Sequence, residues 1–189
     1  LPEFPAGKPL FIFASHFHAD HYAPVIFQLG EKRENVFYIL SKEIGKKIPE
    51  EYRKRYKDRI RLVKAGERFC LNISEEGLIV ETFHSTDEGV AFWLSCEGKE
   101  IYHAGDLNNW WWEGEDMAWN RNMAASYKQE MKKLSGRTAD LAFIRSEAGT
   151  VVLSGCCRFY GAGGHKMDFP DAFLGRLYDY TKINRTSIQ

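Results

Sequence analysis

The sequence predicts a fold of the mixed α/β (α+β) class, and three observations carry that prediction. A short apolar run, Leu10 to Phe13, ends on a loop crowded with histidine and aspartate. A series of short β-prone runs separated by turn residues fills the stretch from Ile60 to His103. A long amphipathic segment between Gly114 and Gly136 is followed by a further apolar run, Asp140 to Ile144. Strands therefore follow strands in the middle of the chain, while helices interrupt them on either side. At 189 residues the chain can bury one sizeable core, so residues 1–189 are expected to form a single domain.

Taken in order, Leu10, Phe11, Ile12 and Phe13 are too few for a helix and too apolar for a surface loop, which reads as a buried strand. Where it ends, His16, His18, Asp20 and His21 place three histidines and one aspartate in six consecutive positions. His16 and His18 are two apart, so in extended chain both imidazoles project to one side, and Asp20 and His21 follow on a turn that can face back. Imidazole nitrogen and carboxylate oxygen suit borderline divalent ions, zinc first and manganese or iron next, so one loop can serve one or two such ions. Pro24 is tolerated in a first turn, and Val25, Ile26, Phe27 and Leu29 make a short apolar helix that Gly30 can end. Val36 to Leu40 is another buried strand, followed by Ser41 as an N-cap for Lys42 to Lys47. The segment Pro49 to Lys57 opens with proline and two glutamates and closes on basic residues, the order a helix dipole favours.

The runs Ile60 to Val63, Arg68 to Ile73, Leu78 to Phe83, Val90 to Cys96 and Glu100 to His103 are short strands. Turn residues at 65–67, 74–77 and 97–99 fall at hairpin intervals, which predicts an antiparallel meander rather than βαβ units. His84 stands where one apolar strand gives way to a polar turn, and His103 lies inside another, a packed position. Trp110, Trp111 and Trp112 follow directly after the last of these strands. Three consecutive indoles cannot all point to one interior, so at least one is expected along a pocket wall, and together they are expected to shape a substrate slot. In the helix from Gly114 to Gly136, Met117, Ala124, Tyr127, Met131 and Leu134 share a face, with Lys128, Glu130, Lys132 and Lys133 elsewhere.

Composition argues mildly against several classes of partner. Lys+Arg and Asp+Glu are equal at 26 each, so no global charge draws the chain to nucleic acid or an anionic membrane. The basic residues Arg53, Lys54, Arg55 and Lys57 read as a solvated helix face. Cys70, Cys96, Cys156 and Cys157 show no CxxC spacing and no disulfide framework, which points to reduced thiols in the cytoplasm. No apolar run approaches the roughly 18 residues of a membrane span, and LPEFPAGKP lacks the charged and apolar regions of a signal peptide. It also lacks an initiator methionine, which reads as a fragment. The sequence carries no sign of an oligomeric state.

The hexapeptide His16-Phe17-His18-Ala19-Asp20-His21, directly after a strand, resembles the HxHxDH signature of the metallo-β-lactamase superfamily. The resemblance covers Leu10 to Ile144 and implies a metallo-β-lactamase-like αβ/βα four-layer sandwich, with two mixed sheets inside, helices outside and metals at one edge. It implies that His16 and His18 hold one metal while Asp20 and His21 hold the second. His84 looks like the third histidine of the first site; alternatively Thr86 takes that position, or His84 orients Asp20 or substrate from nearby. Ile101 to Asp106 resembles the superfamily's strand-Gly-Asp element, which makes Asp106 the bridging carboxylate. Its two oxygens can span two cations, and Gly105 allows close backbone approach at the turn.

The pattern breaks at both ends. The early strands expected before Leu10 are absent, and from 145 to 189 the chain turns Gly- and Cys-rich with weak periodicity. His165, in GAGGHKM, is the sole remaining histidine, and its glycine-rich setting is a poor match for the last ligand. One set of codons for Asp168 to Tyr178, moved forward one base, reads Ile-Phe-Pro-Met-His-Phe-Trp-Gly-Asp-Tyr, which resembles the family's histidine-bearing final strand. A frameshift near Arg145 would thus have replaced the native tail. The resemblance implies a metal-dependent hydrolase that directs a metal-activated hydroxide at an ester, lactone, amide or phosphodiester in a small-molecule substrate, with Asp20 orienting the hydroxide or passing on its proton. The rivals are a non-catalytic or degenerate metal-binding protein lacking the last ligand, and a nucleic-acid-processing hydrolase.

Overall fold

The computed structural model describes residues 7–72, 77–146 and 149–158, the last twelve of these, from 145 onward, by their backbone alone. Leu10–Ala14 (β1), Val36–Ser41 (β2) and Ile60–Val63 (β3) form a parallel sheet in the order β1-β2-β3. Parallel neighbours need crossovers. The first runs through a 3-10 turn, Pro24–Phe27, into a short helix α1, Gln28–Lys32. The second runs through a 3-10 turn at Lys42–Lys46 and a helix α2, Glu50–Arg55.

The second sheet has the order β4-β5-β6-β7-β8-β9. Arg68–Leu71 (β4), Leu78–His84 (β5), Val90–Cys96 (β6) and Lys99–His103 (β7) run antiparallel in sequence order, the meander expected from their turn residues. The 18-residue helix α3, Met117–Leu134, then carries the chain over so that Thr138–Ser146 (β8) lies parallel to β7. Gly149–Arg158 (β9) pairs antiparallel with β8. That strand lies where the sequence offered only weak periodicity. Ile73, the turn residues 74–76, and the tail from 159 with His165 lie outside the described residues.

Period-two alternation sorts the side chains into layers. On β2, Val36, Tyr38 and Leu40 pack with Phe27, Ile44, Ile48 and Tyr56 under the short helices. Ile39 of the same strand faces the other way and meets Val80, Val90, Phe92 and Leu94 of the second sheet. Phe13 stacks edge-on against Phe92 at 5.3 Å between ring centres, closing the space between the sheets. On β6 the alternate residues Ala91 and Trp93 turn outward to Tyr102, Tyr127, Met131 and Leu134 on the α3 side. Helices, sheet, sheet and helix therefore stack in four layers, the αβ/βα arrangement expected. Each fully buried side chain such as Phe27 or Phe92 contributes about 1.5–3 kcal/mol by leaving water.

Two expectations about helices are corrected. Gly30 does not end the first helix but lies inside α1, because a Cβ there would come within 2.6 Å of the Tyr38 hydroxyl and 2.9 Å of the Tyr56 ring. On α3, Met117 is exposed while Asn120 and Glu130 are buried. Asp116 caps the helix by accepting Trp119 N–H at 2.6 Å, and Asn120 turns inward to bond the preceding loop. Glu130 accepts His84 N–H at 3.3 Å and Lys133 Nζ at 2.6 Å, partners that let a carboxylate leave water. Among the described residues no helix is long and apolar enough to cross a membrane.

Candidate metal centre

The C-terminal ends of β1, β5 and β7 meet at one edge of the two sheets. β1 stops at Ala14, and Ser15 and His16 continue it as wholly buried residues. The chain then turns tightly, His21 N–H and Tyr22 N–H both donating to the His18 carbonyl at 2.9 and 2.8 Å, which brings His21 back over His16. Their ring centres are 4.0 Å apart, and that of His18 is 4.6 Å from His16. β7 delivers Asp106 through a turn closed by Leu107 N–H on the Ala104 carbonyl at 3.0 Å. Thr86, from the loop after β5, donates to the Asn108 carbonyl at 2.6 Å and accepts Asn108 N–H at 3.0 Å, so it fastens the Asp106 loop.

Two overlapping groups result, His16, His18 and Asp106 in one and His16, Asp20 and His21 in the other, with donor atoms within 4.8 Å of one another in each. Asp106 lies between the two halves: its Oδ2 is 3.5 Å from His16 Nε2 and its Oδ1 is 3.1 Å from His21 Nε2. Asp20 Oδ2 is 3.4 Å from His21 Nε2. Four ligands at bond lengths of about 2.1 Å around a tetrahedral ion stand about 3.4 Å from one another. The donor spacing is therefore that of a coordination shell.

The state of the donors fits the same use. The Nε2 atoms of His16 and His21 are buried and make no hydrogen bond among the described residues. Burial, reinforced by the neighbouring His21, lowers the His16 pKa to about 4, so its ring is neutral at physiological pH. A neutral imidazole is the form that can give its lone pair to a cation. Asp87, which feels the charges of both Asp106 and His18, has its pKa raised by burial first and by the Asp106 charge second. The residues present thus fit one or two divalent ions by element, charge state and spacing.

His84 stands outside both groups. Its ring is exposed and its Nδ1 donates to the Ser85 carbonyl next door. His103 is packed as expected, its Nδ1 accepting Gly105 N–H at 3.1 Å; burial lowers its pKa to about 4. It lines a cavity of about 140 Å³ together with Asp20, His21 and Phe143. Of the three tryptophans, Trp110 donates its indole N–H to the Asp106 carbonyl at 3.0 Å, and Trp112 is held through its backbone by both ends of the Asn120 amide. Trp111 is 60% exposed and Trp112 51%. Sequence reasoning missed Ser15, Asp87 and Asn120; only the last had a signal, as a polar residue four positions after the helix cap.

No family model and no curated protein matches the chain. Solved structures do. A HARLDQ-motif mutant metallo-β-lactamase from Cronobacter sakazakii is 15% identical over 70% of this chain and 56% of its own, with a TM-score of 0.42. The metallo-β-lactamase SMB-1 bound to 2-mercaptoethanesulfonate is 18% identical over 71% and 57%, with a TM-score of 0.43. The same enzyme with mercaptoacetic acid gives 16% identity over 71% and 56%, and again 0.43. The chain spans somewhat over half the length of these structures, all of them metallo-β-lactamases.

Proposed function

We propose that the chain is the metal-binding portion of a metal-dependent hydrolase acting on an ester, lactone, amide or phosphodiester bond of a small molecule. One observation carries the reading: two buried imidazole Nε2 atoms without hydrogen bonds flank the Asp106 carboxylate at 3.5 and 3.1 Å. Two acceptor-type nitrogens and a carboxylate turned on one another inside a protein have no mutual attraction unless a proton or a cation lies between them. Burial keeps the His16 ring from taking a second proton, and with its one proton on Nδ1 toward Ser15 a cation is the partner proposed for Nε2.

In this reading His16, His18 and Asp106 hold one ion and Asp20 and His21, with Asp106 shared, hold the other. A ring rotation away from Ser85 would add His84 to the first. Zinc is the ion proposed, since imidazole and carboxylate are its usual ligands, with manganese or iron next. When bound, such a pair would bring the pKa of a water down to about 7 and polarise the bond under attack. Asp20, whose side chain is 48% exposed, touches the donor set on one side and solvent on the other, the position from which a carboxylate orients a water and hands on its proton. Trp110 fixes the backbone of Asp106, and the exposed Trp111 and Trp112 that follow it in the chain are proposed to offer apolar surface to the organic part of the substrate.

Elemental analysis paired with a panel of ester, lactone, amide and phosphodiester substrates tests the proposal. Two equivalents of metal with turnover support it. At most one equivalent without turnover favours a degenerate metal-binding chain that has lost its last ligand.

A further inference from the structure

Between the two candidate half-sites lies a residue that is neither ligand nor core. Ser15 is 1% exposed, and its Oγ is 3.0 Å from His16 Nδ1 and 3.3 Å from His21 Nδ1. It is also the point on which two distant loops close. Val90 N–H donates to the Ser15 carbonyl at 3.0 Å. A Cβ on Gly89 would stand 1.9 Å from that same carbonyl, and one on Gly105 would stand 2.7 Å from Ser15 Cβ. The hydroxyl therefore has little room to move.

The chemistry of this placement is specific. A serine hydroxyl has one proton and two lone pairs, and a neutral imidazole carries its proton on one nitrogen while the other accepts. The Nε2 atoms of both rings face Asp106 at 3.5 and 3.1 Å. For both to offer lone pairs there, both protons must sit on Nδ1, and both Nδ1–H groups then need an acceptor in a buried place. Ser15 Oγ, with its two lone pairs, is within reach of both. We infer that Ser15 is a positioning residue that accepts from His16 Nδ1–H and His21 Nδ1–H together, fixing one tautomer in both rings and tying the two half-sites to each other through a single oxygen. The inference rests on the metal-binding reading proposed above, but the Oγ–Nδ1 distances it is argued from are a property of the chain itself.

The test is Ser15→Ala, read in two ways. Chelator competition measures zinc affinity, expected to fall about 10–100-fold at both half-sites, the usual cost of losing a group that orients a metal-bound histidine. Long-range 1H–15N spectra read the ring tautomers with and without zinc. In the zinc-loaded parent both rings are expected to carry their proton on Nδ1 with slowed solvent exchange, and the variant is expected to show fast exchange at the same nitrogens. Wild-type affinity and unchanged ring signals in a folded variant would overturn the inference. If the variant does not fold, the parent decides: a proton on Nε2 of either zinc-bound ring refutes it. A parent that takes up no zinc sinks the metal reading instead, and the metal-free ring signals still decide Ser15, which is refuted if Ser15→Ala leaves both Nδ1 shifts in place.

Discussion

Gly89→Ala should injure both the fold and the centre, and the injury can be separated from ordinary backbone strain. Gly89 has φ +74°, and an added Cβ would lie 1.9 Å from the Ser15 carbonyl oxygen and 2.7 Å from His16 Cβ. To reach an ordinary contact of about 3.5 Å the two chains must part by about 1.6 Å. That parting breaks the Val90 N–H bond to Ser15, worth about 1 kcal/mol. The left-handed backbone adds about 1–2 kcal/mol and the overpacking about 1–3 kcal/mol. A loss of about 3–6 kcal/mol is expected by urea denaturation of the metal-free chain. Gly66→Ala is the control: its φ is +83°, but nothing stands within 4 Å of an added Cβ, so only the strain of about 1–2 kcal/mol applies. Because the displaced atoms belong to Ser15 and His16, zinc affinity should drop at least about tenfold in Gly89→Ala and stay put in Gly66→Ala. Equal losses of stability in the two variants, or undisturbed zinc binding in the first, would refute the close approach of these loops.

Further outcomes follow from the same geometry. His16 and His103 are each held neutral, with pKa values near 4 set mainly by burial. The unfolded chain, with histidines near 6.5, takes up these protons first, so the stability of the metal-free chain should be complete above pH 6.5 and decline as pH falls toward 4, by up to about 3 kcal/mol for each ring. Urea midpoints that do not move between pH 7.5 and 4.5 would contradict this. Asp106→Asn keeps the shape but removes the charge between the two rings; bound zinc should fall from two equivalents to at most one while the circular dichroism spectrum is retained, and two retained equivalents would remove Asp106 from its shared position. Trp111→Ala should raise KM severalfold with little change in kcat or Tm, since the ring is 60% exposed and packs no core; an unchanged KM would take Trp111 out of the substrate wall.

Much of this arrangement is written locally. The candidate ligand loop is legible because His16, His18, Asp20 and His21 fall within six consecutive positions, and the strands are legible because burial alternates along them, as Val36, Tyr38 and Leu40 show on one face of β2. What the sequence conceals are choices made by distant partners. Glu130 reads as a solvent residue, and only the His84 amide and Lys133 draw it inside. Gly30 reads as a helix stop, yet it is a gap kept for Tyr38 and Tyr56. His84 ends a strand, and there a neighbour in the chain, the Ser85 carbonyl, rather than a distant partner, holds its ring. Ser15 carries no signal at all, since a serine before a histidine becomes special only when a second histidine folds back over it.

The position of the centre follows from how the two sheets are joined. β1 belongs to the parallel sheet and β7 to the mixed one, and each releases its candidate ligands at its C-terminal end, where a chain leaving a sheet exposes side chains and backbone to a shared crevice. The group His16, Asp20 and His21 comes from the loop after β1 alone, whereas the group His16, His18 and Asp106 draws on both sheets, so the spacings of 3.5 and 3.1 Å from Asp106 to His16 and His21 depend on the two sheets staying in register. Phe13 against Phe92 sets the distance between the layers, and the Val90 bond to Ser15 sets their slide along the strands. A cation held by both halves would in turn bind the native chain and not the unfolded one, adding RT ln(1 + [L]/Kd) to the stability of that junction. Loading with metal should therefore raise the resistance of the sheet-to-sheet interface to opening more than that of the helix layers outside it, a difference that amide exchange at Val90 compared with exchange on α3 can read directly.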